Sequence, residues 1–524
     1  MCGTEPAGSR AATPVPLLFV IADTGGGHRN AAQAVGQALD QAYPGRFAPV
    51  LCDPLGGPGS ARLLRWVTRM YGPAIRLAPW LWGAAYHACD SRPAMRLLRR
   101  TLLMLADRPT ADAVAAHRPA AIVSFHPLTG MAAVAARDQW APAAPVGIII
   151  TDLATVHAAW RCADADLVIG PPGRTSSAGR RRGPAGGRQV PAGLPVTRDF
   201  WGGALPPHDR AILRRSLGLG EDRFLILLTG GGEGSGGIAR RAAAILRQFA
   251  DVDVVAVCGR NVRLKRGLDR LAARSAGRLT VTGFTRNMAD WLRCSDLVVT
   301  KAGPGTIAEA TCCGTPLLLT SHLPGQEKGN TEFVADAGAG HHVPGVRRLV
   351  AEIGRLRNDP AAVDAMRAAS AGLGRPAAAA RIAELIAGLA EAGAGAPGPR
   401  LPPEPRGCEP VEAGLQRHPP GSASYRSGTR PAPARPDPGE SGTVAARVAE
   451  PAPAEPGGWH SAAAVKVAMC HRMLPGRRIW WFVVAAAPVV LMVHTPFRRG
   501  PRSWGSLASM DSAAVTAAQP HPRQ

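Results

Sequence analysis

Residues 224–237 read Phe-Leu-Ile-Leu-Leu-Thr-Gly-Gly-Gly-Glu-Gly-Ser-Gly-Gly. The apolar run Phe224–Leu228 feeds a loop crowded with glycine, and helical spacing begins near Ile238. A short buried strand, a glycine-rich turn and then a helix is the opening unit of a parallel α/β sheet. Ligands of such sheets bind at the carboxyl ends of the strands. The unit has an earlier counterpart. Pro16–Ala22 is an apolar run ending in Asp23-Thr24-Gly25-Gly26-Gly27-His28-Arg29, followed by Asn30–Asp40 at helical spacing. Two such openings predict two α/β lobes with a cleft between them.

Outward from these loops, Ala121–Ser124 and Val146–Ile150 read as further strands of the first lobe, ending in Phe125-His126-Pro127 and Thr151-Asp152. Val252–Val257, Leu279–Val281, Asp296–Thr300 and Pro316–Thr320 read as strands of the second, and Ala377–Leu389 as its closing helix. The expected domains are 14–200, 201–392, a linker at 393–475 and a tail at 476–524. The linker is rich in Pro, Gly and Arg, a composition too polar and broken to pack, so disorder is expected there. Within the tail, Ile479–His494 is apolar but shorter than the roughly 20 residues of a spanning helix. It reads as an interfacial anchor, a tilted marginal span or an unfolded appendage.

A chain of 524 residues exceeds what one core usually organises, which agrees with two lobes. The formal charge is +23. Residues 396–524 hold 15 Lys/Arg against 8 Asp/Glu, so +16 stays on the rest of the chain. That balance suits an anionic partner such as nucleic acid, acidic lipid or a phosphorylated substrate, and an arginine-rich composition without bearing on partners is the competing reading. No nucleic-acid module is recognisable. Ten cysteines without paired metal-type spacing suggest scattered thiols in a reducing compartment. Met1–Pro16 lacks a signal-peptide pattern. The expected location is cytoplasmic, peripheral at the inner face of the plasma membrane, with the tail as a weak anchor.

Glycines at 230–234 let backbone N–H groups approach an anion, and the following helix adds its positive end. A plain tight turn is the competing reading. There is no Gly-Lys-Ser/Thr and no spaced dinucleotide fingerprint, so a diphosphate held without a P-loop lysine fits best. Thr300-Lys301-Ala302-Gly303-Pro304-Gly305-Thr306-Ile307-Ala308-Glu309-Ala310 predicts a strand end, a turn and a helix starting at Thr306. Glu309 then falls on the first turn, placed either to accept from a ribose diol or to complete a capping box with Thr306. Pro324-Gly325-Gln326-Glu327-Lys328-Gly329-Asn330 offers an amide and an acid beside a turn, groups that can read sugar hydroxyls.

Together with Thr151-Asp152-Leu153, Cys258-Gly259-Arg260-Asn261 and Gly283-Phe284, these motifs resemble monogalactosyldiacylglycerol synthases. They are similar also to bacterial diacylglycerol glucosyltransferases of glycosyltransferase family 28, and more distantly to the N-acetylglucosaminyltransferase that completes lipid II. The resemblance runs from Pro16 to Leu389. It implies a GT-B fold, a UDP-sugar donor held mainly by the second lobe, a lipid acceptor and no obligatory metal. By the same resemblance Gly231, Gly232 and Glu233 lie near the diphosphate, Arg260 and Phe284 frame the uracil, and Glu309 takes the ribose. Gln326, Glu327 and Asn330 surround the sugar, with Lys301, Gly303, Gly305 and Thr306 also on the donor side. His28 matches the general base, with Gly26 and Gly27 beside the acceptor.

An inverting transfer needs a base for the acceptor proton, and imidazole titrates near ~6.5. Asp152 is the reserve base or an orienting group for His28. Aromatic residues Trp66, Tyr71, Trp80, Trp82 and Tyr86 alternate with arginines, Arg65 among them, between Arg62 and Arg100. Rings at headgroup level with arginines reaching phosphates predict a peripheral face for an anionic membrane surface. An ordinary helical pair with a solvated basic side competes with it. Two stretches depart from the family: Ala154–Trp160 after Asp152, and the basic loop Pro171–Arg188. Both stretches lie toward the acceptor side. A polyprenyl-linked or other hydrophobic acceptor is the enzymatic alternative, and a UDP-sugar sensor or nucleic-acid binder the remote one.

Overall fold

A computed structural model describes residues 13–24, 26–162, 164–171, 188–232, 234, 236–393 and three strands between 467 and 494. The first lobe contains β1 (Val15–Val20), α1 (Gly27–Ala42), β2 (Phe47–Cys52), α2 (Arg62–Leu77), α3 (Pro79–Cys89) and α4 (Arg92–Thr101). It continues with α5 (Asp107–His117), β3 (Ala121–Ser124), α6 (Gly130–Trp140), β4 (Val146–Ile149), β5 (Leu167–Gly170) and β6 (Arg188–Pro191). The second opens with α7 (Pro207–Ser216), then β7 (Phe224–Thr229), α8 (Ile238–Gln248), β8 (Val252–Val257), α9 (Val262–Ala272) and β9 (Leu279–Thr282). There follow α10 (Met288–Cys294), β10 (Leu297–Thr300), α11 (Pro304–Cys312), β11 (Leu317–Leu319), α12 (Lys328–Asp336) and β12 (Gly340–His342). Helices α13 (Val346–Arg357) and α14 (Pro360–Leu373) complete it, whereas α15 (Ala378–Gly393), expected to close this lobe within 201–392, crosses back and packs on the first: a Cβ on Gly147 of β4 would lie 3.2 Å from Leu389 Cδ2.

Each lobe has a six-stranded parallel sheet, ordered β2-β1-β3-β4-β5-β6 and β12-β11-β10-β7-β8-β9. Both orders reverse direction once, between β1 and β3 and between β7 and β10. These are the switch points where open sheets leave a crevice for ligands. The loops entering and leaving them are 23–29 with 125–127, and 230–237 with 301–303. The two glycine-rich stretches therefore stand where backbone and helix ends are free to meet a ligand. This is the GT-B arrangement of two Rossmann-like lobes.

The strands form because both their faces are covered. In β7, Leu225 and Leu227 pack with Trp291 and Leu292 on one side. Ile226 and Leu228 pack with Ile245 and Leu349 on the other. Burying such a side chain contributes about 1.5–3 kcal/mol, so a charge at Leu227 would break the lobe. The apolar pattern does not reveal β2, an edge strand of the first sheet. β2 is half-exposed and contains Pro49, which a central strand would not tolerate.

Two expectations change. α11 begins at Pro304 with Gly303 as its cap, and no side chain caps it. Proline suits the first helical position because its missing N–H has no partner there anyway. Glu309 thus lies beyond the first turn, and the capping box with Thr306 does not form. The apolar tail segment is two strands, Arg477–Ala486 and Val489–His494, paired antiparallel with each other, and the first of them also pairs antiparallel with Val467–Leu474. No helix among the described residues is long and apolar enough to cross a membrane. The expected linker from 394 to 466 and most of the basic loop, 172–187, lie outside the described residues.

Candidate functional site

Gly26 caps α1 in a left-handed conformation, φ 83°, which brings His28 into the helix's first turn. Gly26 and Gly27 carry no side chain to screen it. The His28 Nδ1 lies 2.9 Å from the Phe125 carbonyl oxygen and 2.8 Å from the Thr151 hydroxyl. A carbonyl only accepts, so Nδ1 carries the proton and Nε2 keeps the lone pair. Burial pulls the His28 pKa down to about 4, against the hydrogen bond to Phe125, which raises it. The imidazole is thus neutral near pH 7. The positive end of α1 favours the same form.

His126 stands edge-on to His28, ring centroids 4.5 Å apart. Its Nδ1 accepts from the Leu128 N–H at 3.2 Å, which leaves Nε2 to donate to the Thr24 hydroxyl at 3.3 Å. Burial, then the neighbouring His28, hold His126 well below its usual range. Sequence reading took His126 only as a strand end and Thr151 only as part of a motif. Two loops far apart in the chain had to meet before either could be connected to His28.

Asp152 does not orient His28. One carboxylate oxygen accepts from Trp160 Nε1 at 2.6 Å and the other from Gln326 Nε2 at 3.4 Å, across the cleft. Burial raises its pKa to about 6, opposed by those two bonds and assisted by the charge of Glu327. The orienting partners of His28 are Thr151 and Phe125 instead.

In the second lobe, the Gly232 carbonyl accepts from the Arg260 N–H at 2.8 Å. The Arg260 guanidinium lies over the Phe284 ring, 4.9 Å from its centroid. Phe284 is 61% exposed, so the pair is a platform open on one side. A Cβ on Gly231 would lie 4.0 Å from Lys301 Cε, which puts the lysine beneath the glycine loop. Glu233 lies outside the described residues.

Lys301 Nζ donates to Glu327 Oε1 at 2.6 Å, while Glu327 Oε2 accepts from the Leu323 N–H at 2.8 Å. Asn330 Nδ2 donates to the Ala302 carbonyl at 2.9 Å. Glu327 and Asn330 are buried and brace the turn at Lys301–Gly303. Gln326 thus faces Asp152, Glu327 holds Lys301, and Asn330 keeps a buried Oδ1 with no partner among the described residues. Gly305 and Thr306 are partly exposed in the first turns of α11. Glu309 is partly exposed too, and burial among protein atoms raises its carboxyl to about 7. Among the described residues, its carboxylate has no hydrogen-bond partner. Nor do these residues gather three or more His, Cys, Asp or Glu able to hold a metal ion.

The α2–α3 segment divides the expected membrane face. Leu77 and Trp80 are 85% and 70% exposed, and Trp66, near the start of α2, is exposed as well. Trp82 turns inward, its Nε1 buried and its ring edge-on to Tyr71 at 4.9 Å. It is removed from the face. Arg65 lines a cavity of about 420 Å³ with Asp23, Asp53 and Arg69 at the ends of β1 and β2.

The first lobe matches the monogalactosyldiacylglycerol (MGDG) synthase family over residues 28–196, and the second the glycosyltransferase family 28 C-terminal domain over 225–382. A probable monogalactosyldiacylglycerol synthase 2, chloroplastic, of Oryza sativa subsp. indica is 30% identical over 359 residues, 67% of this chain and 75% of that protein. This chain belongs to the monogalactosyldiacylglycerol synthase family. Monogalactosyldiacylglycerol synthase 1, chloroplastic, of Arabidopsis thaliana is also 30% identical, over 64% of this chain and 63% of its own.

The crystal structure of Acinetobacter baumannii MurG aligns with a TM-score of 0.47 at 16% identity, covering 71% of this chain and 99% of that one. Anabaena Alr3699/HepE in complex with UDP and glucose aligns at 0.44 and 15%, with coverages of 71% and 99%. As a member of the monogalactosyldiacylglycerol synthase family the chain is a glycosyltransferase. Its curated relatives are chloroplastic, which overturns the expected cytoplasmic location at the inner face of the plasma membrane.

Proposed function

We propose that the chain transfers a hexose from a UDP-sugar to diacylglycerol at a lipid surface, with inversion at the anomeric carbon. The observation that carries this reading is the His28 arrangement: neutral, with Nδ1 fixed as donor and Nε2 as the basic nitrogen. The acceptor hydroxyl gives its proton to Nε2 while its oxygen attacks the anomeric carbon. The bond from that carbon to the diphosphate oxygen breaks, and UDP leaves with the electron pair. One displacement gives inversion. Nδ1, held by the Phe125 carbonyl and Thr151, keeps its proton as the ring becomes imidazolium.

The leaving diphosphate gains charge. Backbone N–H groups of the glycine loop, Arg260 and Lys301 are the groups to stabilise it. The Arg260–Phe284 platform suits a flat base, and Glu309 suits a diol. Gln326 reads the sugar from the Asp152 side. A nucleoside diphosphate sugar presents base, diol, diphosphate and hexose together, and the family makes a UDP-sugar the donor of that class to test. The galactose in the relatives' name makes UDP-galactose the first donor to try. Exposed Leu77 and Trp80, with the arginines of α2 and α4, suit an anionic lipid surface.

The test is transfer from UDP-galactose, UDP-glucose and UDP-N-acetylglucosamine to diacylglycerol in vesicles, the anomer of the product read by NMR. A β-linked hexosyl-diacylglycerol from an α-linked donor is expected. Retention at the anomeric carbon would overturn the His28 mechanism, and UDP release without glycolipid would overturn the acceptor.

A further inference from the structure

Helix α3 belongs to the first lobe and touches the donor loop of the second. Gly83 is buried, and a Cβ there would lie 2.7 Å from Pro324 Cβ. Gly325 has φ +82°, and a Cβ on it would lie 2.6 Å from Tyr86 Cδ1. Gly83 and Tyr86 are three residues apart, so they share one helical face. That face is seated on Pro324–Gly325, directly before Gln326 and Glu327. Tyr86 is also wedged against His157, ring centroids 4.4 Å apart. The Tyr86 carbonyl oxygen lies 3.0 Å from His157 Nε2, while its hydroxyl, like Trp82 Nε1, is buried with no partner among the described residues, so close packing holds the side chain on Gly325.

The first turn of the same helix carries the exposed Trp80, and Leu77 precedes it at the end of α2. An eleven-residue helix therefore links the apolar surface to the donor loop. Packed interiors pass on displacement because they have no room to absorb it. A donor requires one conformation of Pro324–Gln326, and a bilayer that holds α3 reduces what the donor has to order.

We propose that seating of the α2–α3 face on a lipid bilayer and binding of the sugar donor are coupled through Gly83 and Tyr86 against Pro324–Gly325. The inference rests on the lipid and donor roles proposed above. Coupling of this kind is reciprocal: each ligand changes the affinity of the other by one factor.

The experiment uses the full chain without turnover. UDP-galactose affinity is measured with and without vesicles of phosphatidylcholine and phosphatidylserine lacking diacylglycerol, and vesicle affinity with and without UDP-galactose. Both are expected to tighten by the same factor, at least about fivefold, the lower end of usual coupling. Gly83→Ala and Tyr86→Ala should bind each ligand alone yet bring that factor close to one. Pro324→Ala removes the opposing ring without overpacking and carries the same expectation if Gly83→Ala does not fold. Trp80→Ser should lose vesicles and keep donor affinity in solution. Unchanged donor affinity on bound vesicles, or full coupling in all three contact variants, would overturn the proposal. If the wild type bound neither ligand alone, the proposed function itself would fail, a result distinct from two separate, uncoupled affinities.

Discussion

The two glycine-rich loops occupy equivalent places, each at the switch point of a parallel sheet and each entering a helix, yet they are equipped for opposite tasks. The first delivers a histidine whose cation is suppressed: burial takes His28 down to about 4. The second collects cations, Lys301 beneath the glycines and Arg260 beside them, and further along α11 a carboxyl raised to about 7. Desolvation acts on both groups in the same sense, disfavouring charge, so it lowers the base and raises the acid. The difference teaches where each group recovers its charge. In the proposed mechanism His28 gains a proton only as the acceptor loses one, and Glu309 would ionise most readily when a bound diol donates to it.

The largest expected break in that contrast is His28→Ala. It should lower kcat by about 10²–10⁴-fold, the usual worth of a positioned base, with UDP affinity changed less than about twofold. Initial rates and calorimetric titration with UDP read the two effects apart. Glu309→Gln should do the reverse, weakening UDP-galactose binding by about tenfold, in line with a lost hydrogen bond to a charged group. In the wild type, donor affinity should fall as pH drops through about 7, because Glu309 protonates. The Gln variant should show a flat profile, and a slope surviving in it would reassign that titration.

Thr151→Val tests the orientation of the base more gently, since the Phe125 carbonyl remains. A fall in kcat of about tenfold is expected, with KM for the donor steady and the acid limb of the pH–rate profile displaced. An unchanged acid limb would mean that Thr151 serves packing alone.

The smallest effects are on stability and differ in sign. The folded pKa of His28 is depressed, so its contribution is fully present above the unfolded value near ~6.5 and is lost as pH falls toward about 4. Glu309 is raised, so its contribution is present below ~4.3 and is lost as pH rises through about 7. Thermal melts across pH 4–8 should show His28→Ala flattening the acid side and Glu309→Gln gaining relative to wild type above about 7.

Much of the fold could be read directly, because apolar runs ending in glycine admit few other structures. β7, β8 and β3 coincide closely with their apolar runs. β2 escaped because an edge strand is half-solvated and its pattern is diluted by Pro49. Trp80 and Trp82 were grouped together although residues two apart on a helix face away from each other, so one is exposed and the other packs on Tyr71. The start of α11 was signalled by Pro304, a favoured first helical residue, and the capping-box spacing at Thr306 was the weaker of the two cues.

The sequence by itself determined two parallel α/β lobes, the loops that serve them, the residue types fit for a base and for a diphosphate, and the family. Those follow from local period, turn chemistry and motif order, all written within short windows. Only the tertiary structure decided that Thr151 rather than its neighbour Asp152 holds His28, and that Asp152 instead reaches Gln326. It also decided that Glu327 and Asn330 brace a turn, and that α3 rests on the donor loop. Adjacent side chains leaving a strand point to opposite sides, and which side meets a partner depends on segments more than a hundred residues away.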